Sequence, residues 1–281
     1  MSTQPDTAIL FPGQGSQTDD MRDTVARERP DLLELVIDAV GEDPFPLTGQ
    51  GTGYAQPAIF AASLAGWHAL GRPRGALMAG HSLGELAALV AAGALAEADG
   101  VRLVALRGRL MERAGREAGD GGMVAVLGAG AADHAAEIAG AHGLVVANDN
   151  SPQQVVLSGP RSELAGAVAH AKELGLRAIA LDVTGAFHSP MMASALPEFS
   201  AALAATTFMA PEVTVISAVT AEPFRHPARE LADALTMPVR WRETLLALHR
   251  RGAERMVEVG PGRVLTGLAK RTLSGVELVH A

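Results

Sequence analysis

The stretch GALMAGHSLGELAALVAAG (75–93) sets a short apolar run, a serine between two glycines and an alanine-rich helical pattern end to end. The apolar run reads as a buried strand, and the pattern after Ser82 reads as a helix. A strand that turns at once into a helix belongs to folds in which the two alternate around a parallel sheet. Within the stretch, GHSLG (80–84) fits the pattern G-x-S-x-G, a sharp strand-to-helix turn. Such a turn crowds the main chain beside its central residue, and glycine removes the conflicting Cβ. Ser82 is lifted into open space at a helix N-terminus, where free N–H groups and the helix dipole favour negative charge. The N–H of Leu83 is then placed to stabilise an oxyanion. The competing reading makes Ser82 an N-cap, a common role for serine at a helix start.

The rest of the chain continues the alternation. AILF (8–11) is an apolar strand stopped by PGQG, and residues 22–40 read as helix. GEDPFPLTGQGTG (41–53) reads as a connection and QPAIFAASLAGWHAL (56–70) as a helix buried on most sides. A helix with charges at intervals is expected over 97–115. The texture then changes to strand (121–129), helix (131–142), strand-turn-strand (143–159), helix (161–175) and strand (176–183). That β-α-β-β-α-β order is ferredoxin-like and can bury its own core. Residues 121–185 are therefore expected as an inserted subdomain between 1–120 and 186–281. A helix (191–205), a strand (212–219), two further helical stretches, a strand (255–260) and a final helix complete the larger part. The expected class is α/β, with a parallel sheet covered on both faces.

Composition removes several functions. Apolar residues make up 48% of the 281, enough to fill a core and to argue against wholesale disorder. A net charge of -8 argues against nucleic acid as a partner, because general binders need a basic footprint. The absence of cysteine excludes disulfides, thiolate metal ligands and cysteine nucleophiles, and no metal centre is expected. The N-terminal MSTQPDTAILFPGQGSQ lacks the basic-then-apolar order of a signal peptide, and no run approaches the ~20 apolar residues of a membrane span. No membrane partner and a cytoplasmic location are expected.

A serine nucleophile needs a base. His81 adjoins Ser82, so its side chain is expected to project away from the hydroxyl. His68, His134, His142, His170, His226, His249 and His280 read as surface or capping residues. His188, in DVTGAFHSPMM (182–192), follows a strand and a glycine and precedes a helix. After a strand of a parallel sheet that position lies at the carboxyl edge, where such folds hold their sites. The competing role for His188 is a helix cap. Asp149 and Asp182 are candidate acids for the imidazole, but neither stands out, and a main-chain carbonyl could set its tautomer instead.

FPGQGSQ (11–17), GHSLGE (80–85), RG within ALRGRLM (105–111), NSPQQVVLSG (150–159), GAFHS (185–189) and EVGPGRVLTGL (258–268) occur in this order. In that combination the chain resembles the malonyl-CoA:acyl carrier protein transacylases, and the acyltransferase domains of polyketide synthases share the pattern. The resemblance implies an α/β-hydrolase-like large subdomain with a ferredoxin-like insert. It implies Ser82 as the acyl-accepting nucleophile, His188 as its base, and Gln14 with the N–H of Leu83 as the oxyanion hole. Arg107 matches an arginine that grips the free carboxylate of a malonyl group, which suits a planar guanidinium. Asn150 falls at a motif position near the active site, and a carbonyl of Val239 or Arg240 would orient the histidine. Phe187 resembles the malonyl-type residue before the histidine and would crowd a branch on the acyl Cα. Taken alone, Gln14 reads as a solvated turn residue and Arg107 as an exposed helix arginine.

The implied reaction is a ping-pong transfer from malonyl-CoA, as substrate, to the phosphopantetheine thiol of an acyl carrier protein, by a monomer with no bound cofactor. Basic RGRLMERAGR (107–116) and AKR (269–271) are candidate docking stretches for an acidic carrier. A serine esterase or thioesterase accounts for the turn but leaves FPGQG, Arg107 and the insert without a purpose. A trans-acting polyketide acyltransferase with another acyl substrate, the acyltransferase subunit of malonate decarboxylase and a non-enzymatic carrier-binding protein compete with the transacylase as well.

Overall fold

The computed structural model describes residues 7–280; residues 1–6 of the N-terminal stretch and Ala281 lie outside it. The buried strand β1 (Thr7–Phe11) is followed by α1 (Met21–Glu28) and α2 (Pro30–Val40). The single helix expected over 22–40 is thus two. Pro30 has no N–H to donate and drives the residue before it out of helical geometry, and Arg29 sits at φ -148°, ψ 67°. Next come α3 (Thr52–Ala69), β2 (Leu77–Gly80), α4 (Gly84–Ala91) and α5 (Glu97–Glu117). The middle of the chain forms β3 (Gly121–Leu127), α6 (Ala131–Ala141), β4 (Val145–Ser151), β5 (Gln154–Pro160), α7 (Arg161–Glu173) and β6 (Arg177–Ala180). The helix expected over 191–205 is divided into a 3₁₀ turn (Pro190–Ala195) and α8 (Leu196–Ala204). The chain then forms β7 (Thr214–Ile216), α9 (Pro227–Asp233), α10 (Trp241–Arg250), β8 (Arg255–Glu258), α11 (Val264–Thr272) and β9 (Glu277–His280).

The larger sheet is parallel throughout, in the order β7-β2-β1-β8-β9. Strand β9, which carries His280, is not foreshadowed by the sequence pattern. Its ELVH pattern is short and half-exposed at a sheet edge, so it lacks the apolar run that marks a buried strand. From β1 the chain builds first toward β2 and β7, then toward β8 and β9. The direction of winding therefore reverses at β1, and the carboxyl ends of β1 and its neighbours open a crevice there. Glu258, at the end of β8, is buried and fully used: its carboxylate accepts the N–H groups of Leu265 (2.9 Å) and Thr266 (2.7 Å) at the start of α11.

The second sheet is antiparallel, in the order β4-β5-β3-β6. One face carries Val124, Val126 and Leu157 against Ile138 of α6 and Leu164 of α7, a core of its own. The opposite face carries Met123, Ala125 and Val156, which belong to the main core and overlook the crevice. The α/β class with a parallel and a separate antiparallel sheet is thus as expected. Strand β4 is tied to the segment before α10, where Val239 donates to the carbonyl of Ala147 and accepts from Asp149 N–H, both at 2.9 Å.

Candidate active site

The turn between β2 and α4 is possible only because its flanks lack side chains. A Cβ on Gly80 would lie 2.0 Å from the carbonyl carbon of Gly84, and a Cβ on Gly84 would lie 2.2 Å from the carbonyl oxygen of Phe11. Ser82 between them is held at φ +54°, a left-handed conformation that costs a non-glycine residue about 1–3 kcal/mol. The N-cap position of α4 falls to Leu83 and not to Ser82. The Ser82 Oγ lies 2.9 Å from Nε2 of His188 and accepts from Nη2 of Arg107 at 3.1 Å. The N-cap reading of Ser82 is set aside by these contacts.

His188 is also at positive φ, +55°, and is 5% exposed. It reaches Ser82 by a different route from the one its sequence context suggests. The strand before it, β6, belongs to the antiparallel sheet, so His188 arrives on the return from the small unit to the large one. Capping of the following 3₁₀ turn falls to Ser189, whose Oγ accepts Met191 N–H. Nδ1 of His188 donates to the carbonyl of Ala234 at 2.8 Å, at the end of α9. The expected carbonyl of Val239 or Arg240 is not the partner. The Val239 carbonyl accepts Asp149 N–H of β4, and the Arg240 carbonyl accepts Thr244 N–H and Oγ1–H, each at 2.9 Å. Asp149 is not the partner either, being held by Arg242 at 2.7 Å. A carbonyl can only accept, so Nδ1 carries the proton and Nε2 is left as the acceptor for the Ser82 hydroxyl. Burial above all, then the charge of Arg107, pushes the His188 imidazole down to about 3, and the ring is neutral at physiological pH.

Arg107 is 3% exposed and not the surface residue its helix suggested. Nη1 donates to Oε1 of Gln56 at 2.7 Å while Nη2 reaches Ser82. Among the described residues no carboxylate pairs with it. Burial lowers its pKa to about 10, with Glu85 opposing the shift. Gln56 in turn donates to Oγ1 of Thr52 (2.9 Å), and that hydroxyl donates to Oε1 of Gln14 (2.8 Å). Thr52 and Gln56 were missed in the sequence. The available signal was a glutamine on an otherwise apolar helix.

A cavity of about 400 Å³ opens over this group, lined by Gln14, Leu83, Phe187 and Asn150 among others. The N–H of Leu83 has no acceptor among the described residues. Oδ1 of Asn150 lies 2.8 Å from Nε2 of His81, whose ring sits edge-on to Trp241. All the candidate residues therefore converge on one cavity. The site can bind an anion at Arg107, activate an alcohol at Ser82 and receive a proton at His188.

Glu85, one turn beyond Ser82, braces the turn from behind. It is 1% exposed and accepts Ala218 N–H at 2.7 Å, while its Oε2 is unpartnered. Burial raises its carboxyl to about 7 from an ordinary 4.5. Folding therefore favours the protonated form, a contribution complete below pH 4.5 and lost as pH rises through about 7. Relative to Glu85→Gln, the wild type is expected to lose on the order of 3 kcal/mol over that window. Thermal melts of both proteins at several pH values check this, and parallel curves would contradict it.

A family model described as acyl transferase domain matches residues 9–280. The chain belongs to this acyl transferase family. The acyltransferase is 40% identical, over 95% of its length, to the polyketide biosynthesis protein ThaF of Burkholderia thailandensis, and spans only 24% of that longer protein. It is also 40% identical to the malonyl CoA-acyl carrier protein transacylase of Salmonella typhimurium, covering 94% of this chain and 92% of the relative. Among solved structures it is similar to a malonyl-transacylase in complex with its type II polyketide synthase acyl-carrier protein. The TM-score is 0.87 at 33% identity, over 98% of this chain and 96% of that one. No described helix is long and apolar enough to cross a membrane.

Proposed function

We propose that the acyltransferase moves a malonyl group from coenzyme A to the phosphopantetheine thiol of an acyl carrier protein, through an ester on Ser82. The observation that carries the malonyl assignment is the buried Arg107, in an ion pair with no carboxylate among the described residues and 3.1 Å from the hydroxyl that would bear the acyl group. In the first half, His188 Nε2 takes the Ser82 proton and Oγ attacks the thioester carbonyl. Leu83 N–H and Gln14 face the oxyanion. Collapse expels the coenzyme A thiolate, which receives the proton from His188. In the second half, the carrier thiol gives its proton to His188 and attacks the ester, and Ser82 leaves with that proton. Arg107 holds the malonyl carboxylate throughout.

Several observations support the finer roles. Phe187 is 6% exposed and lines the cavity, where a methyl branch on the acyl Cα would meet its ring; such a methyl is worth about 1–3 kcal/mol. Asn150 bonds the ring of His81. Of the two basic stretches, 107–116 offers Arg109 as its one exposed arginine without an ion pair among the described residues, because Arg107 is buried and Arg113 and Arg116 are paired with Glu198 and Glu112. Lys270 and Arg271 are exposed and suit an acidic carrier. The separate core of the antiparallel sheet supports residues 121–185 as an inserted subdomain between 1–120 and 186–281. The cytoplasm, where coenzyme A thioesters are used, is the location this reading implies. Purified protein given malonyl-CoA and holo-carrier is expected to yield malonyl-carrier and free coenzyme A. Hydrolysis to malonate without carrier loading would instead make it a thioesterase.

A further inference from the structure

Residues 234–242 run from the end of α9 into α10 and touch the site at several points. At their start the Ala234 carbonyl accepts from Nδ1 of His188 at 2.8 Å, and the main chain of Met237 lies beside the same ring. In the middle, Val239 exchanges two main-chain hydrogen bonds with β4, the edge strand of the antiparallel sheet. Near the end, Trp241 meets the ring of His81 edge-on. Strand β4 reaches the site from the other side. Asn148 lines the cavity, and Asn150 lies 2.8 Å from His81. Between these two, Asp149 turns to α10.

There Arg242 donates from Nε at 3.0 Å and from Nη2 at 2.7 Å to Oδ2 of Asp149. Both side chains are half-buried, and Oδ1 of Asp149 is buried without a hydrogen-bond partner among the described residues. The guanidinium is therefore the one group that satisfies this carboxylate. The other carboxylates facing Arg242 are Asp133 of α6 and Glu243 of α10, and Glu243 is already paired with Arg240. Two main-chain bonds do not by themselves fix a register, because a shift along the strand can remake them. A side-chain pair cannot be remade after such a shift. Building on the proposed acyl transfer, we propose that Asp149 and Arg242 are positioning residues. Their ion pair fixes β4 against residues 237–239, and so sets the main chain of Ala234 and Met237 that holds His188 against Ser82.

The reaction of Ser82 with a fluorophosphonate, followed from pH 5 to 8, tests this without depending on the natural acyl group. In Arg242→Met and in Asp149→Asn the rate constant is expected to fall about tenfold, a modest share of what a misplaced reacting group can cost. Asp149→Asn, which keeps the shape, carries the test should Arg242→Met not fold. The charged or titratable groups facing His188 are Arg107 of α5 and His81 of the turn after β2, and both variants leave them in place. A new acid limb between about pH 5 and 6.5 is expected all the same, because a ring no longer held gains water and titrates nearer its ordinary value. Arg242→Lys is expected to keep part of the rate, and the double variant to lose no more than either single one. An unchanged rate, a fall without the acid limb, or losses that multiply in the double variant would each overturn the positioning role. Malonyl transfer is measured alongside. A wild type that reacts with the phosphonate and transfers no malonyl overturns the proposed function and leaves the pair standing.

Discussion

Arg107→Ala is expected to lower kcat/KM for malonyl transfer by about 100- to 1,000-fold while costing acetyl transfer far less. Removing one partner of a buried, hydrogen-bonded charge pair costs about 3–4 kcal/mol, which is that range in rate. The malonyl carboxylate would then enter a site with no cation to receive it. Acetyl has no carboxylate to strand. A second effect separates the substrates further. The charge of Arg107 helps hold His188 near 3, so a bound carboxylate that offsets this charge makes the imidazole a better base when malonyl is present. Loss of the arginine would restore basicity without the clamp, which favours acetyl. Arg107→Lys is expected to fall between, because an ammonium cannot hold Gln56 and a carboxylate in one plane. Steady-state kinetics with both donors decide the matter, and an equal loss for both would make Arg107 a structural residue.

His188→Ala is expected to reduce acylation by about 10,000-fold, the scale on which a serine loses its activating base. Its pH behaviour is the sharper test, because loss of activity alone would also follow from a collapsed cavity. With the imidazole held near 3 by burial and by Arg107, kcat/KM of the wild type is expected to stay level from pH 8 to about 5. An unburied histidine would lose activity below about 6.5. An acid limb centred near 6.5 would show that His188 is solvated when it acts.

The fold and the meeting of Ser82 with His188 were legible in the sequence for physical reasons. Steric exclusion at Gly80 and Gly84 leaves a pattern that few other turns need. The strand and helix periods switch visibly at Gly121, where the antiparallel unit begins. What was illegible falls mostly into atoms without side-chain identity and into burial set by distant elements. The Ala234 carbonyl could be any residue's, and only the engagement of Val239 with β4 shows why the acceptor lies earlier in the chain. Arg107 looks like any charged helix residue until α3 is laid across it and Gln56 takes its guanidinium. Strand β9 was hidden because an edge strand need not be apolar on both faces. The expectation that placed His188 beside Ser82 also relied on the wrong sheet, since the strand before it pairs with β3 and not with β1.

The claim beneath all of this is that an imidazole and an alcohol 2.9 Å apart make a covalent acyl carrier of this chain. Intact-protein mass spectrometry after brief exposure to malonyl-CoA, with peptide mapping, measures that directly. One malonyl group on the wild type, located at Ser82, absent from Ser82→Ala and discharged by holo-carrier, is the expected result. Equal labelling of the alanine variant, or an ester mapped to another residue, would contradict the account.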